Sequence, residues 1–75
     1  MHRVPVESSS IESVGYEKNV LEVRFHNGGL YQYFDVPEDL LVMLMQADSK
    51  GAFFNRHIRG RFSSTRLNPP QAAPI

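Results

Sequence analysis

Turn-forming residues interrupt this chain every few positions, and their spacing constrains the fold more than any other feature. Lys18-Asn19, Asn27-Gly28-Gly29 and Asp35-Val36-Pro37 cut residues 11–37 into apolar runs that are too short for helices and about the length of strands. Residues 11–16 and 20–25 are rich in β-branched and aromatic side chains, and Lys18-Asn19 between them suits a tight turn. Asn27-Gly28 tolerates positive φ and leads into a third strand at residues 30–34. Pro37 then fits the first position of a helix, and Glu38 and Asp39 lie where the positive end of the helix dipole favours acids. That helix is expected to run to about Ala47, with Leu40, Leu41 and Leu44 facing the sheet.

The second half is equally legible. Asp48-Ser49 can cap another helix, on which Phe54 and Ile58 lie four apart and share a face, and Gly60 ends it. Residues 61–67 suit either a short fourth strand or an extended strap. Residues 68–75 hold three of the five prolines and little that can pack, so they read as a disordered tail. The expected architecture is α+β: a three-stranded antiparallel meander followed by two short helices on one face, in one domain at residues 1–67. At 75 residues a single thin core is all the chain can build. Cysteine is absent, which excludes disulfides, thiolate metal ligands and a cysteine nucleophile. Residues 1–7 contain no signal-like apolar run, and the longest apolar stretch, residues 40–45, is far too short to span a bilayer. Cytoplasm is the default location.

Charge is distributed in two opposed poles. Residues 1–48 hold eight acids against Arg3, Lys18 and Arg24, a net −5, whereas residues 49–75 hold Lys50, Arg56, Arg59, Arg61 and Arg66 with no acid, a net +5. The basic segment is interleaved with Phe53, Phe54 and Phe62, a pattern suited to a polyanion or an acidic partner. Arg56 and Arg59, three apart, would share a helical face and with Lys50 and Arg61 could hold phosphates, since arginine's planar fork binds phosphate oxygens in pairs. The plainer alternative is that these cations only neutralise the acids of the first half. Catalytic chemistry finds no footing. His2, His26 and His57 occur singly without metal-ligand spacing, the glycines lack the rest of a phosphate loop, and no serine has an activating motif. The expectation is therefore a protein without catalysis, cofactor or metal.

Several blocks occurring in order resemble a known family: residues 6–11 (Val-Glu-Ser-Ser-Ser-Ile), Val14-Gly15-Tyr16, residues 21–25 (Leu-Glu-Val-Arg-Phe), Gly28-Gly29, residues 31–37 with the Tyr31-Gln32-Tyr33 pair at their centre, and residues 47–59. This pattern is similar to the KTSC domain, named for its place at the C-terminus of some lysyl-tRNA synthetases and also found as small free-standing bacterial proteins. The resemblance covers about residues 4–67. It implies an RNA-binding role, drawn from the synthetase association, and brings no established activity with it.

Tyr31 and Tyr33 lie on one face of their strand. If Asn27-Gly28 forms a two-residue loop, Phe25 pairs with Leu30 and both tyrosines point outward as a stacking platform for unpaired bases. If the loop takes three residues with Gly29 as a left-handed bulge, Phe25 pairs with Tyr31, Val23 with Tyr33, and the rings become core. The leading functional expectation is a binding module for RNA or another nucleic acid, with Lys50, Arg56, Arg59 and Arg61 on phosphates and Tyr31, Tyr33 or Phe53 on bases. The alternative is a protein-interaction module that docks an acidic partner, or a second copy of itself, through the opposed poles.

Overall fold

A two-residue turn sets the first hairpin: Lys18 and Asn19 both adopt positive φ, 52° and 65°, as a type I′ connection requires. The computed structural model describes residues 3–67. In chain order these form β1 (Arg3–Pro5), β2 (Ile11–Glu17), β3 (Val20–Phe25), β4 (Leu30–Tyr33), α1 (Glu38–Gln46), α2 (Lys50–His57) and β5 (Ser64–Arg66). The strands make one antiparallel sheet whose spatial order is the chain order, β1-β2-β3-β4-β5. The class is α+β as expected, but the sheet has five strands where the turn spacing predicts a three-stranded meander. Strand β5 settles the strand-or-strap alternative for residues 61–67 in favour of a strand. Strand β1 escapes sequence reading because three residues carrying a proline show no periodicity. It exists through its pairing, Arg3 to Gly15, Val4 to Val14 and Pro5 to Ser13. The tail expected at residues 68–75 lies outside the described residues.

The second hairpin corrects both loop alternatives. Phe25 N–H donates to Gly29 O (2.9 Å) and Gly28 N–H to Phe25 O (2.9 Å), closing a three-residue loop of His26, Asn27 and Gly28. The left-handed residue is Gly28, at φ 96°, and not Gly29. Tyr31 therefore lies opposite Val23 and Tyr33 opposite Leu21. Because cross-strand partners share a face, both tyrosines lie on the side that carries Leu21, Val23 and Val14. The outward-facing platform is thereby overturned, and Leu30 pairs with Arg24 on the other side.

The helices cover the tyrosine side. Leu44 of α1, Phe54 of α2 and Ile58 just after it close over Ile11, Val14, Leu21, Val23, Tyr33 and Val36 as the core. Pro37 stands at the N-cap of α1 with Glu38 and Asp39 in its first turn, and Ser49 Oγ caps α2 by accepting from Ala52 N–H (3.3 Å). Tyr16 locks the junction of sheet and α1, its hydroxyl donating to Val36 O (2.5 Å). Burial, with Glu38 and Asp39 nearby, pushes that phenol above its ordinary pKa, so it remains a donor.

Candidate functional site

One cleft of about 320 Å³ opens where the β3-β4 hairpin, the end of α2 and β5 meet. The hairpin contributes Phe25, Asn27, Tyr31 and Tyr33, α2 contributes Phe54, and the chain beyond it contributes Arg59, Gly60 and Ser64. Local geometry explains why Arg59 is there. Ile58 and Arg59 both donate to Phe54 O (3.0 and 2.9 Å), ending the helix, and Gly60 at φ 76° turns the chain back toward β5. Arg59 thus stands at the cleft.

The aromatic walls meet at steep angles. Ring centroids of Phe25 and Tyr31 are 5.9 Å apart at 76°, those of Phe25 and Phe54 5.3 Å at 69°, and those of Tyr33 and Phe54 5.2 Å at 82°. Such edge-to-face contacts satisfy the ring quadrupoles and fix the walls. Phe54 and Tyr33, at 2% and 6% exposure, are floor; Phe25 and Tyr31 are half-buried and keep accessible surface. The Arg66 guanidinium lies 5.8 Å from the Tyr31 ring centroid, a cation-π contact across the β4-β5 pair. Burial pushes the Tyr33 phenol above its ordinary pKa against the opposing pull of Arg59, so at neutral pH it keeps its proton. Asn27 Oδ1 accepts from Gly29 N–H (2.9 Å), which leaves the Asn27 amide nitrogen as a donor. Among the described residues, none that lines this cleft is acidic.

The residues expected to form a site are only partly gathered here. Tyr31, Tyr33 and Arg59 line the cleft. Lys50 does not: its Nζ donates to Ala47 O (3.1 Å), satisfying a carbonyl at the end of α1. Arg56 is exposed beside a second, shallower depression with Ser49, Phe53 and His57, in which the Phe53 and His57 ring centroids lie 4.5 Å apart at a tilt of 39°. The shared helical face expected for Arg56 and Arg59 is not formed, because α2 ends at His57 and Arg59 lies beyond it, donating to Asn55 Oδ1 (3.4 Å). Arg61 is exposed on the same turn. Sequence reasoning missed Phe25, Asn27 and Ser64, and left Arg66 among the charges without a place. The signal for Arg66 was its register opposite Tyr31, which depends on β5 being a strand.

A separate polar row crosses the sheet's other face. Arg3, Gly15, Glu22, Gln32 and Thr65 are successive cross-strand partners. Arg3 pairs with Glu22 over Gly15, which contributes no side chain, and Gln32 Nε2 donates to Glu22 Oε1 (3.1 Å). Burial alone would raise the Glu22 pKa; the hydrogen bonds from Arg3 and Gln32, with the charge of Arg3, outweigh it and hold the carboxyl below its ordinary value. Among the described residues no cluster of three or more His, Cys, Asp or Glu could hold a metal ion, and no helix is long and apolar enough to cross a membrane.

Comparison with known proteins places this geometry in a family. The KTSC domain matches residues 7–62. An uncharacterized protein of Stutzerimonas stutzeri is 47% identical over 58 residues, covering 75% of this chain and 82% of that protein. A lysine-tRNA ligase of Nostoc punctiforme is 38% identical over 64 residues, covering 83% of this chain but 11% of the ligase. The crystal structure of a KTSC domain protein from Yersinia pestis superposes with a TM-score of 0.86 at 43% identity, over 89% of this chain and 97% of that one.

Proposed function

The chain belongs to the KTSC domain family, and from that premise we propose that it is a noncatalytic module that binds single-stranded RNA through the surface running from α2 to β5. The observation that carries this reading is the placement of cations around an acid-free aromatic cleft. Arg59 lines the cleft, Arg66 lies over Tyr31, and Arg56 and Arg61 are exposed nearby in sequence on the segment that ends α2. Arginines so placed hold phosphates while the rings offer apolar surface. The relationship to lysine-tRNA ligases supports an RNA partner, since the name of those enzymes specifies tRNA. The zero formal net charge tells against strong nonspecific nucleic-acid affinity, so the binding rests on the basic pole alone.

The test is fluorescence anisotropy with a short labelled single-stranded RNA at three salt concentrations. Affinity is expected to fall with salt at a logarithmic slope of about −0.7 per phosphate contacted. The double change Arg56→Glu and Arg59→Glu is expected to weaken binding and flatten that slope while leaving the fold intact, since both side chains are exposed. No binding by the unaltered protein at the lowest salt overturns the proposal. Concentration-dependent mass in the absence of RNA would then support self-association through the opposed charge poles.

A further inference from the structure

We infer that the cleft between the β3-β4 hairpin and β5 takes one unpaired nucleotide, its base in the corner formed by Phe25 and Tyr31 and its phosphate on Arg59. The inference rests on the RNA-binding proposal and assigns a ligand to a cavity that phosphate contacts alone would leave unused.

Three properties of the cleft select this occupant. Its volume, about 320 Å³, sits at the lower end of the range of about 300–1,000 Å³ seen for small-molecule sites, enough for one nucleotide unit and too little for a stacked pair. Its two accessible rings stand at 76°, so a planar group lying flat on one turns its edge to the face of the other. That corner fits a flat π-system better than an aliphatic side chain. The polar groups at the cleft, namely the Arg59 guanidinium, the Tyr33 hydroxyl, the Ser64 hydroxyl and the Asn27 amide, can all donate, and no acid is among them. A ligand that is flat at one end and anionic at the other satisfies all three conditions. A base held in a Watson-Crick duplex cannot enter, because its faces are covered by its neighbours in the stack.

The cleft is also built to keep its shape. Phe54 pins the floor from α2, Gly29 is buried behind Tyr31, and a Cβ at Gly29 would lie 3.0 Å from Tyr31 Cε1. Tyr31 has little freedom to swing on that side, so the corner exists before any ligand arrives.

The experiment compares a labelled six-nucleotide uridine RNA with the same backbone carrying abasic sites throughout, by anisotropy at one fixed salt concentration, for the unaltered protein and for Ser64→Trp. Loss of the bases is expected to weaken binding by about 5- to 150-fold, the equivalent of one stacked base. Ser64 is exposed on β5, so a tryptophan there can fill the cleft from its rim without disturbing the core. With that variant, binding of the uridine RNA is expected to drop toward the abasic level and the two RNAs to become equivalent. If the unaltered protein binds both RNAs equally, the base-binding inference is overturned while RNA binding stands. If it binds neither, both fall. The comparison of two RNAs on the unaltered protein needs no variant to fold, and a circular dichroism melt verifies that Ser64→Trp does.

Discussion

Glu22 keeps a carboxylate where burial opposes its charge. A carboxylate at 6% exposure on a sheet face that no helix covers is held by Arg3 and Gln32, and its pKa lies below the ordinary 4.5 although burial pushes the other way. The sign of the consequence follows by linkage. A carboxyl whose pKa is lowered in the folded protein binds protons less well there than in the unfolded chain. Its stabilisation is fully present above the ordinary glutamate range and is lost as pH falls through the lowered folded value. Urea unfolding from pH 7 downward is therefore expected to show midpoints that decline with acidification, and Glu22→Gln is expected to flatten that decline. A variant with an unchanged pH profile would mean that the pair contributes nothing. Gly15 belongs to the same arrangement. Placing valine there puts a branched side chain between Arg3 and Glu22 and is expected to cost stability chiefly at neutral pH, where the pair is ionised.

At the scale of elements, the two faces of α1 contribute unequally. Leu44 is 1% exposed, while Val42 and Met43 on the same helix are 46% and 50% exposed. Leu44→Ala is expected to cost about 2–5 kcal/mol and Val42→Ala well under 1 kcal/mol. Thermal melts of the two variants measure that contrast, and equal losses would show that α1 docks by another face. The extents of β2, β3, β4 and α1 and the start of α2 were legible because turn chemistry and periodicity agreed locally: Lys18-Asn19 forms the turn its sequence suggests, and Ser49 caps where a serine before a helix is expected, whereas α2 ends at His57, short of the Gly60 expected to stop it. The register of β4 was not legible. Asn27-Gly28-Gly29 is compatible with loops of two or three residues, and a shift of one residue exchanges the faces of Tyr31 and Tyr33. The register that forms buries Tyr33 against Phe54, a contact between residues more than twenty apart that local patterning does not report. The cleft was hidden for the same reason. Tyr31 and Arg59 could be named as candidates from the sequence, but Asn27, Ser64 and Arg66 become part of the site only once β5 lies beside β4.

Across the whole molecule, acids and cations divide along the chain, and the cleft joins rings from the acidic part to Arg59 from the cationic part. Glu38 and Asp39 open α1, whereas Arg59 and Arg66 flank the rings at the other end of the sequence. The arrangement of strands has a further consequence, for the order of assembly. Because each strand pairs with its sequence neighbour, β1 to β4 can zip by successive short-range hairpins, each closing only a small loop. Strand β5 is different: it must wait for both helices to be laid down before it can reach β4, and all three of its residues remain exposed. Native-state hydrogen exchange is expected to find the slowest amides in β2 and β3 and the fastest strand amides in β5. The wall that completes the cleft would then be the last strand to arrive during folding and the first to open, so a ligand seated against it can be admitted and released without melting the sheet beneath.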